Sequence, residues 1–157
     1  MPEFRPNDIV LTLKGELEAY VAAQKGQLSV ANDPFEVIEL LGESPTGFRV
    51  IILWEGDEDA TGQPLAGIVN NTIAVIVSHN RGLRMWKGEN LHKDYGDQPA
   101  LLTRLADLRA QIRAYEWPED LTDSHLLYLG TQPETTPEGL PLDAYRMRFR
   151  LTTVIPV

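Results

Sequence analysis

Tyr145-Arg-Met-Arg-Phe-Arg-Leu-Thr-Thr-Val-Ile155 alternates without a break. Tyr145, Met147, Phe149, Leu151, Thr153 and Ile155 fall on one side of an extended chain, and Arg146, Arg148, Arg150, Thr152 and Val154 fall on the other. Period-two patterning of this length predicts a strand over Asp143 to Val157 with one apolar face for helices to cover. A second strand is expected over His125 to Gly130. The segment between them, Thr131 to Leu142, carries Pro133, Pro137 and Pro141 and reads as an exposed excursion.

Upstream of these strands lies a helical pattern. Pro99 opens it, Leu101, Leu102, Leu105, Leu108 and Ile112 make its apolar face, and Tyr115 follows. Arg104, Asp107, Arg109 and Arg113 occupy the remainder, and Trp117-Pro118 stops it. Near the N-terminus a second helix is expected from Asp8 to Gln24, capped by Asn7 or Asp8. Its stripe is Ile9, Leu13, Leu17 and Tyr20/Val21, and Lys25-Gly26 ends it. Gly15 weakens its middle.

The stretch between the helices is strand-rich. Phe35 to Leu41 reads as a short strand or a helical turn after Pro34. Gly47 to Trp54 is a continuous apolar run suited to burial on both faces, and Gly67 to Ser78 is another, with Asn70-Asn71 marking a bulge or bend. Glu55 to Ala66 reads as a polar loop between them, and Gly82 to Gly88 as one more short strand. The order is helix, three or four strands, helix, two strands. It predicts a single α+β domain over residues 1–157, with a largely antiparallel or mixed sheet and two amphipathic helices packed on one face. The other face is then solvated or covered by another subunit.

Composition narrows the chemistry. The 157 residues are 43% hydrophobic and 24% charged, an ordinary globular balance. Fourteen Lys and Arg against 23 Asp and Glu give a net charge of -9, which disfavours binding to a phosphate backbone. Without cysteine there is no disulfide, thiolate–metal site or thiol nucleophile. The N-terminal residues carry no signal-peptide pattern and no apolar run reaches the 18 or so residues that span a bilayer, so the cytosol is the expected location. Asn70-Asn71-Thr72 matches a glycosylation pattern without that secretory context.

Motifs for catalysis are missing. Asp57-Glu58-Asp59-Ala60-Thr61-Gly62 opens like a calcium loop, but its twelfth position is Ile68 where a bidentate Glu is needed; the segment reads as a solvated acidic turn. His79, His92 and His125 are scattered, with no pair at the spacing that places two imidazoles on one helix face. Nucleophile-elbow and phosphate-cradling patterns are absent. No cofactor and no metal are expected. Trp54, Trp86 and Trp117 read as core or interface packing, with a small-ligand pocket beside one of them as the alternative.

The arginine row, Arg146, Arg148 and Arg150, stacks three guanidinium groups on one strand face. It is either a solvated face paired with cross-strand carboxylates or a docking stripe for an acidic surface of a neighbouring subunit. Asp57, Glu58 and Asp59 in the run Glu55 to Asp59, and the run Glu116 to Asp123, supply acidic surfaces for such an interface.

Taken together, the helix Leu101 to Ile112, the Gly-Thr-x-Pro turn at Gly130 to Pro133 and the closing strand Tyr145 to Ile155 resemble the tail terminator, or tail completion, proteins of long-tailed bacteriophages and prophages. The resemblance implies a non-enzymatic virion protein that forms a homo-oligomeric ring, commonly of six, caps the tail tube and joins it to the head. The implied partners are copies of itself, tube proteins and head–tail connector proteins, with no sequence-specific nucleic acid and no membrane. The implied location is the virion tail, and the host cytoplasm during assembly. A different neck or baseplate subunit is the alternative within the same class, and a small-ligand-binding α+β domain the alternative outside it.

Overall fold

β3 (Ile68–Asn80) runs antiparallel between β2 (Gly47–Asp59) and β5 (Leu142–Val154), paired with both along almost its whole length. From Ile73 to Val77 its side chains are wholly buried, so both faces of the sheet centre must be covered. The computed structural model describes residues 5–43, 47–60, 67–80, 91–94, 98–118 and 125–154. Within them the architecture is α+β: three helices and one five-stranded mixed sheet of order β1-β2-β3-β5-β4.

Two elements modify the expected order. Gln27–Ala31 forms β1, a short edge strand parallel to β2, which the sequence pattern did not reveal. Phe35 to Leu41 resolves as a helix, α2 (Pro34–Gly42). Parallel neighbours need a crossover, and α2 supplies it. Asp33 caps α2 by accepting from the Glu36 amide at 2.9 Å, and Pro34 fixes its first turn. The Glu36 carboxylate in turn accepts from the Asn32 amide at 3.1 Å. Only Val37 and Leu41 of this helix are buried, while Phe35 is 77% and Ile38 46% exposed. Its apolar residues therefore do not form one stripe, and periodicity could not identify it.

The two predicted helices do share a face. α1 (Pro6–Ala23) buries Ile9, Leu13, Leu17 and Val21, and α3 (Leu101–Ala114) buries Leu101, Leu105, Leu108 and Ile112. Both pack on Phe48, Val50 and Ile52 of β2, Ile73, Val75 and Val77 of β3, and Met147, Phe149 and Leu151 of β5. The opposite face is not left bare. α2 covers a smaller cluster of Ala31, Ile51, Leu53, Ala74 and Ile76, with Leu142 and Ala144 beside it. Arg49 belongs to that side and donates to the Leu40 carbonyl of α2 at 2.9 Å and to Gln27 of β1. Towards β5 and β4 (Leu127–Pro133) this face carries no helix among the described residues, and the arginine row lies there.

Several boundaries move. Glu55 to Asp59 is not loop: it continues β2, with Asp59 opposite Val69. β4 runs on through Thr131 to Pro133, into the expected excursion. Arg5 is the N-cap residue of α1, and Asp8 accepts its amide at 3.0 Å from inside the helix. Pro99 precedes α3 rather than lying in its first turn. The expected strand Gly82 to Gly88 and most of the Glu55 to Ala66 tip fall outside the described residues. Among the described residues no helix is long and apolar enough to cross a membrane.

The end of α1 separates two demands on glycine. Lys25, not Gly26, takes the left-handed conformation, at φ 55°. Gly26 is needed for space, since a Cβ there would sit 2.5 Å from Cδ1 of Phe48. Gly15 in mid-helix has nothing within 4 Å of such a Cβ. Gly26→Ala is therefore expected to destabilise by about 1–3 kcal/mol through overpacking. Gly15→Ala should stabilise by about 0.5–1 kcal/mol. Urea denaturation of the two variants beside the parent checks both signs.

Candidate functional site

β5 presents Arg146, Arg148 and Arg150 on the face away from α1 and α3, as alternation predicts, but the three are not equivalent. Arg146 pairs with Glu134 through Nε and lies 3.5 Å from Glu55 through Nη1. Arg148 donates from Nε to Glu55 at 2.9 Å and from Nη1 to Gln132 at 3.4 Å. One carboxylate thus bridges two guanidinium groups, and the partners come from β2 and the β4 side of the same chain. For these two arginines the cross-strand pairing is intramolecular, and such partly exposed pairs contribute at most about 1 kcal/mol each. Arg150 differs. Its Nε is buried without a hydrogen-bond acceptor among the described residues. With Arg113 and His125 it lines a cleft of about 420 Å³ against Leu127 and Tyr128.

The acidic residues are sorted by a bulge. The β2–β3 register shifts between Trp54 and Gly56, so Glu55 is an extra residue in its strand. A one-residue insertion reverses the parity of everything after it. Glu55 stays on the arginine side. Glu58, opposite Asn70, shares that side, because Asn70 stands opposite Thr152 of β5. Asp57 and Asp59 stand opposite Asn71 and Val69 and belong to the other face. The six residues expected to form one interface therefore divide: the arginine row meets Glu55 and Glu134, which the sequence reading did not single out together. Asp57, Glu58 and Asp59 form an exposed strand end. Gly56, at φ 119°, completes the bulge.

A second polar cluster lies inside the helix-covered face, and the sequence reading missed it. Arg104, assigned to the polar side of its helix, is only 3% exposed. Its spacing to Leu101 and Leu108 is i, i+3, i+7 on the buried stripe, and that was the available signal. Its guanidinium stands 4.3 Å over the Phe48 ring, Nε donates to Gln24 Oε1 at 3.3 Å and Nη1 to His79 Nε2 at 2.7 Å. Guanidinium only donates, so this His79 nitrogen accepts and the imidazole is neutral. His79 is thus a buried strand-end residue, packed edge-on against Phe48. Burial pushes the Arg104 pKa down from its usual value, opposed by the nearby Tyr20. Tyr20 stacks edge-on with Phe48 and donates its hydroxyl to Asp107 at 3.0 Å. Burial and then the Asp107 carboxylate hold the Tyr20 phenol well above its usual pKa, against a smaller opposing effect of Arg104.

The remaining candidates do not converge. Asp57 and Asp59 of the calcium-like run lie in a strand, and no group of three or more His, Asp or Glu among the described residues is placed to hold a metal ion. Trp117 is buried in the core and stacks edge-on with Tyr115. Trp54 donates to Asn71 Oδ1 at 3.2 Å, and Asn71 donates to Thr153 Oγ1 at 2.9 Å, so the Asn pair marks a buried polar tie opposite the bulged end of β2. Trp86 lies outside the described residues. No protein-family model and no curated protein matches the chain.

The Tyr20 phenol gives a pH signature. A tyrosine in the unfolded chain ionises near pH 10, while the folded chain favours the neutral phenol. Its stabilisation is therefore complete below about pH 10 and lost as pH rises through the raised folded value. Tyr20→Phe is expected to cost about 1 kcal/mol at neutral pH. Between about pH 9 and pH 11 the parent should lose more stability than the variant, measured by denaturant unfolding at each pH.

Proposed function

We propose that this chain is a non-enzymatic assembly subunit that closes into a ring, acting as a tail terminator that caps a phage or prophage tail tube and joins it to the head. The reading is supported chiefly by the unlike margins at one end of the sheet. β1 pairs only with residues 49–53 of β2, so the acid-bearing stretch 54–59 of β2 lies beyond it. Asp57 and Glu58 are exposed there. The far margin is β4, an edge strand with Leu127 and Leu129 48% and 47% exposed. At its start the cleft carries Arg113, His125 and Arg150.

Both margins lie at the same end of the sheet. Leu127 pairs with Arg150, the end of β5 pairs with the start of β3, and the start of β3 pairs with the end of β2. They stand about 14 Å apart across three strand spacings. An acidic, apolar-poor margin and a basic margin with exposed leucines complement each other between copies, not within one. Such a contact is head-to-tail, and it generates a ring when the rotation closes. An exposed apolar edge strand also needs a cover in its working state. This reading gives the arginine row a divided role, with Arg146 and Arg148 bracing the sheet and Arg150 facing the neighbour. The virion tail, reached from the host cytoplasm, is the corresponding location. A neck or baseplate subunit using the same contact is distinguished by whether the ring sits at the head-proximal end of isolated tails.

Sedimentation across a concentration series, with and without tail tubes, tests the reading. The parent should form a closed oligomer. Arg150→Glu, and separately Asp57→Lys with Glu58→Lys, should each weaken assembly about tenfold or more without unfolding the chain, and the combined variant should recover it. A parent that stays monomeric on tubes, or charge reversals that leave assembly unchanged, would overturn it.

A further inference from the structure

Beside the buried Arg104 a cleft of about 430 Å³ opens between the end of α1, the start of β2 and the start of α3. Its described lining includes Gln24, Lys25, Phe48, Gln98 and Arg104, with no carboxylate among them. We infer that this cleft is a binding site for a small carboxylate anion, held by Arg104 and Lys25. The inference is independent of the assembly reading, since none of these residues lies at the two margins.

Charge is the first argument. Arg104 is almost fully enclosed, yet its hydrogen-bond partners, Gln24 Oε1 and His79 Nε2, are neutral. A buried charge without a counter-ion is costly, and native structures pair such charges. Asp107, one turn along the helix, is engaged by Tyr20 and forms no ion pair with Arg104 among the described contacts. Arg104 is also the fourth residue of α3, near the positive end of the helix dipole, which adds to the demand for an anion. The face of Phe48 partly offsets that demand without neutralising it.

Geometry is the second. The two bonds use Nε and Nη1, which leaves the Nη2 N–H groups without an acceptor among the described residues. The cleft is lined by this residue, so an entering oxygen has a donor to meet. Lys25 is the third argument. It holds a left-handed backbone conformation at φ 55°, where glycine is the usual occupant of a helix end. A lysine kept at a conformation that disfavours it, on the rim of a cleft containing a buried arginine, points to a use for its charge.

The class of anion follows from the same groups. The planar guanidinium edge of Arg104 suits a planar carboxylate, and Lys25 on the rim suits a second one. The amides of Gln24 and Gln98 and the Phe48 ring suit a short organic body, and the volume admits one. A tetrahedral phosphate offers the guanidinium no planar edge, whereas a short dicarboxylate places one carboxylate there and leaves its second for the exposed Lys25.

The test is titration of the folded full chain with malonate, acetate and inorganic phosphate, followed by the Arg104 side-chain Nε–H and the Gln24 and Lys25 amide signals in NMR spectra. Malonate should produce saturable shifts confined to the cleft, with a dissociation constant of roughly 1–10 mM, and acetate a weaker response at the same signals. Lys25→Gly should raise stability, by relieving the backbone, and weaken malonate about threefold or more. Arg104→Met should abolish the shifts. Should that variant fail to fold, Lys25→Gly and the phosphate arm still decide. No saturable shift in the parent up to about 50 mM malonate would overturn the inference. So would shifts spread over the whole surface, equal affinity in Lys25→Gly, or phosphate binding tighter than malonate.

Discussion

The structure depends on β3 being buried on both faces between two long antiparallel partners. Ile73, Ala74, Val75, Ile76 and Val77 have no exposed side, so the chain must place cover above and below the same five residues. α1 and α3 do this on one side, and α2 on the other. Burial of both faces also fixes register, because a slip of one residue would exchange the occupants of the two cores. The small Ala74 and the larger Ile76 face the lesser cluster, and the larger cluster receives Ile73, Val75 and Val77.

A fixed register makes the single insertion at Glu55 consequential. Before it, odd residues of β2 face α2; after it, even residues share the arginine face. The insertion keeps Glu55 beside Arg146 and Arg148 and turns Asp57 to the other side. Charges that would otherwise repel along one strand face are thereby divided. One group is neutralised inside the chain, and the other is left at the tip. β4 has the corresponding irregularity between Tyr128 and Gly130, with Leu129 as the extra residue and Gly130 at φ 140°. The two bulges bracket the arginine row from either side.

Elements with a full period were legible in the sequence. The alternation of β5 and the stripes of α1 and α3 gave their positions, faces and the α+β class directly. β1 was not legible because five residues, Gln27 to Ala31, with only one of them buried, carry too little pattern. α2 was ambiguous because Phe35 and Ile38 point outwards. The arginine row was visible as a row, but its partners were not, since parity beyond Glu55 depends on an insertion that only pairing reveals. Arg104 was misplaced for a different reason. Charge alone assigned it to solvent, although its spacing put it with the leucines.

Arg49 and Arg104 show what that misplacement hides. Both are buried, both have a pKa lowered by burial, and each donates to a glutamine oxygen. Arg49 has a counter-charge of a kind, because its other bond goes to the Leu40 carbonyl in the last turn of α2, the negative end of a helix. Arg104 has the reverse: a neutral imidazole and the first turn of its own helix. Arg49 is closed in by the elements it ties together. Arg104 stands at the wall of an open cleft. Two buried arginines thus occupy opposite electrostatic situations. In the first, the Leu40 carbonyl, Gln27 and the nearby Glu43 carboxylate answer the charge, although Nε has no acceptor among the described residues. In the second, the fold leaves a place for a negative charge to come from outside.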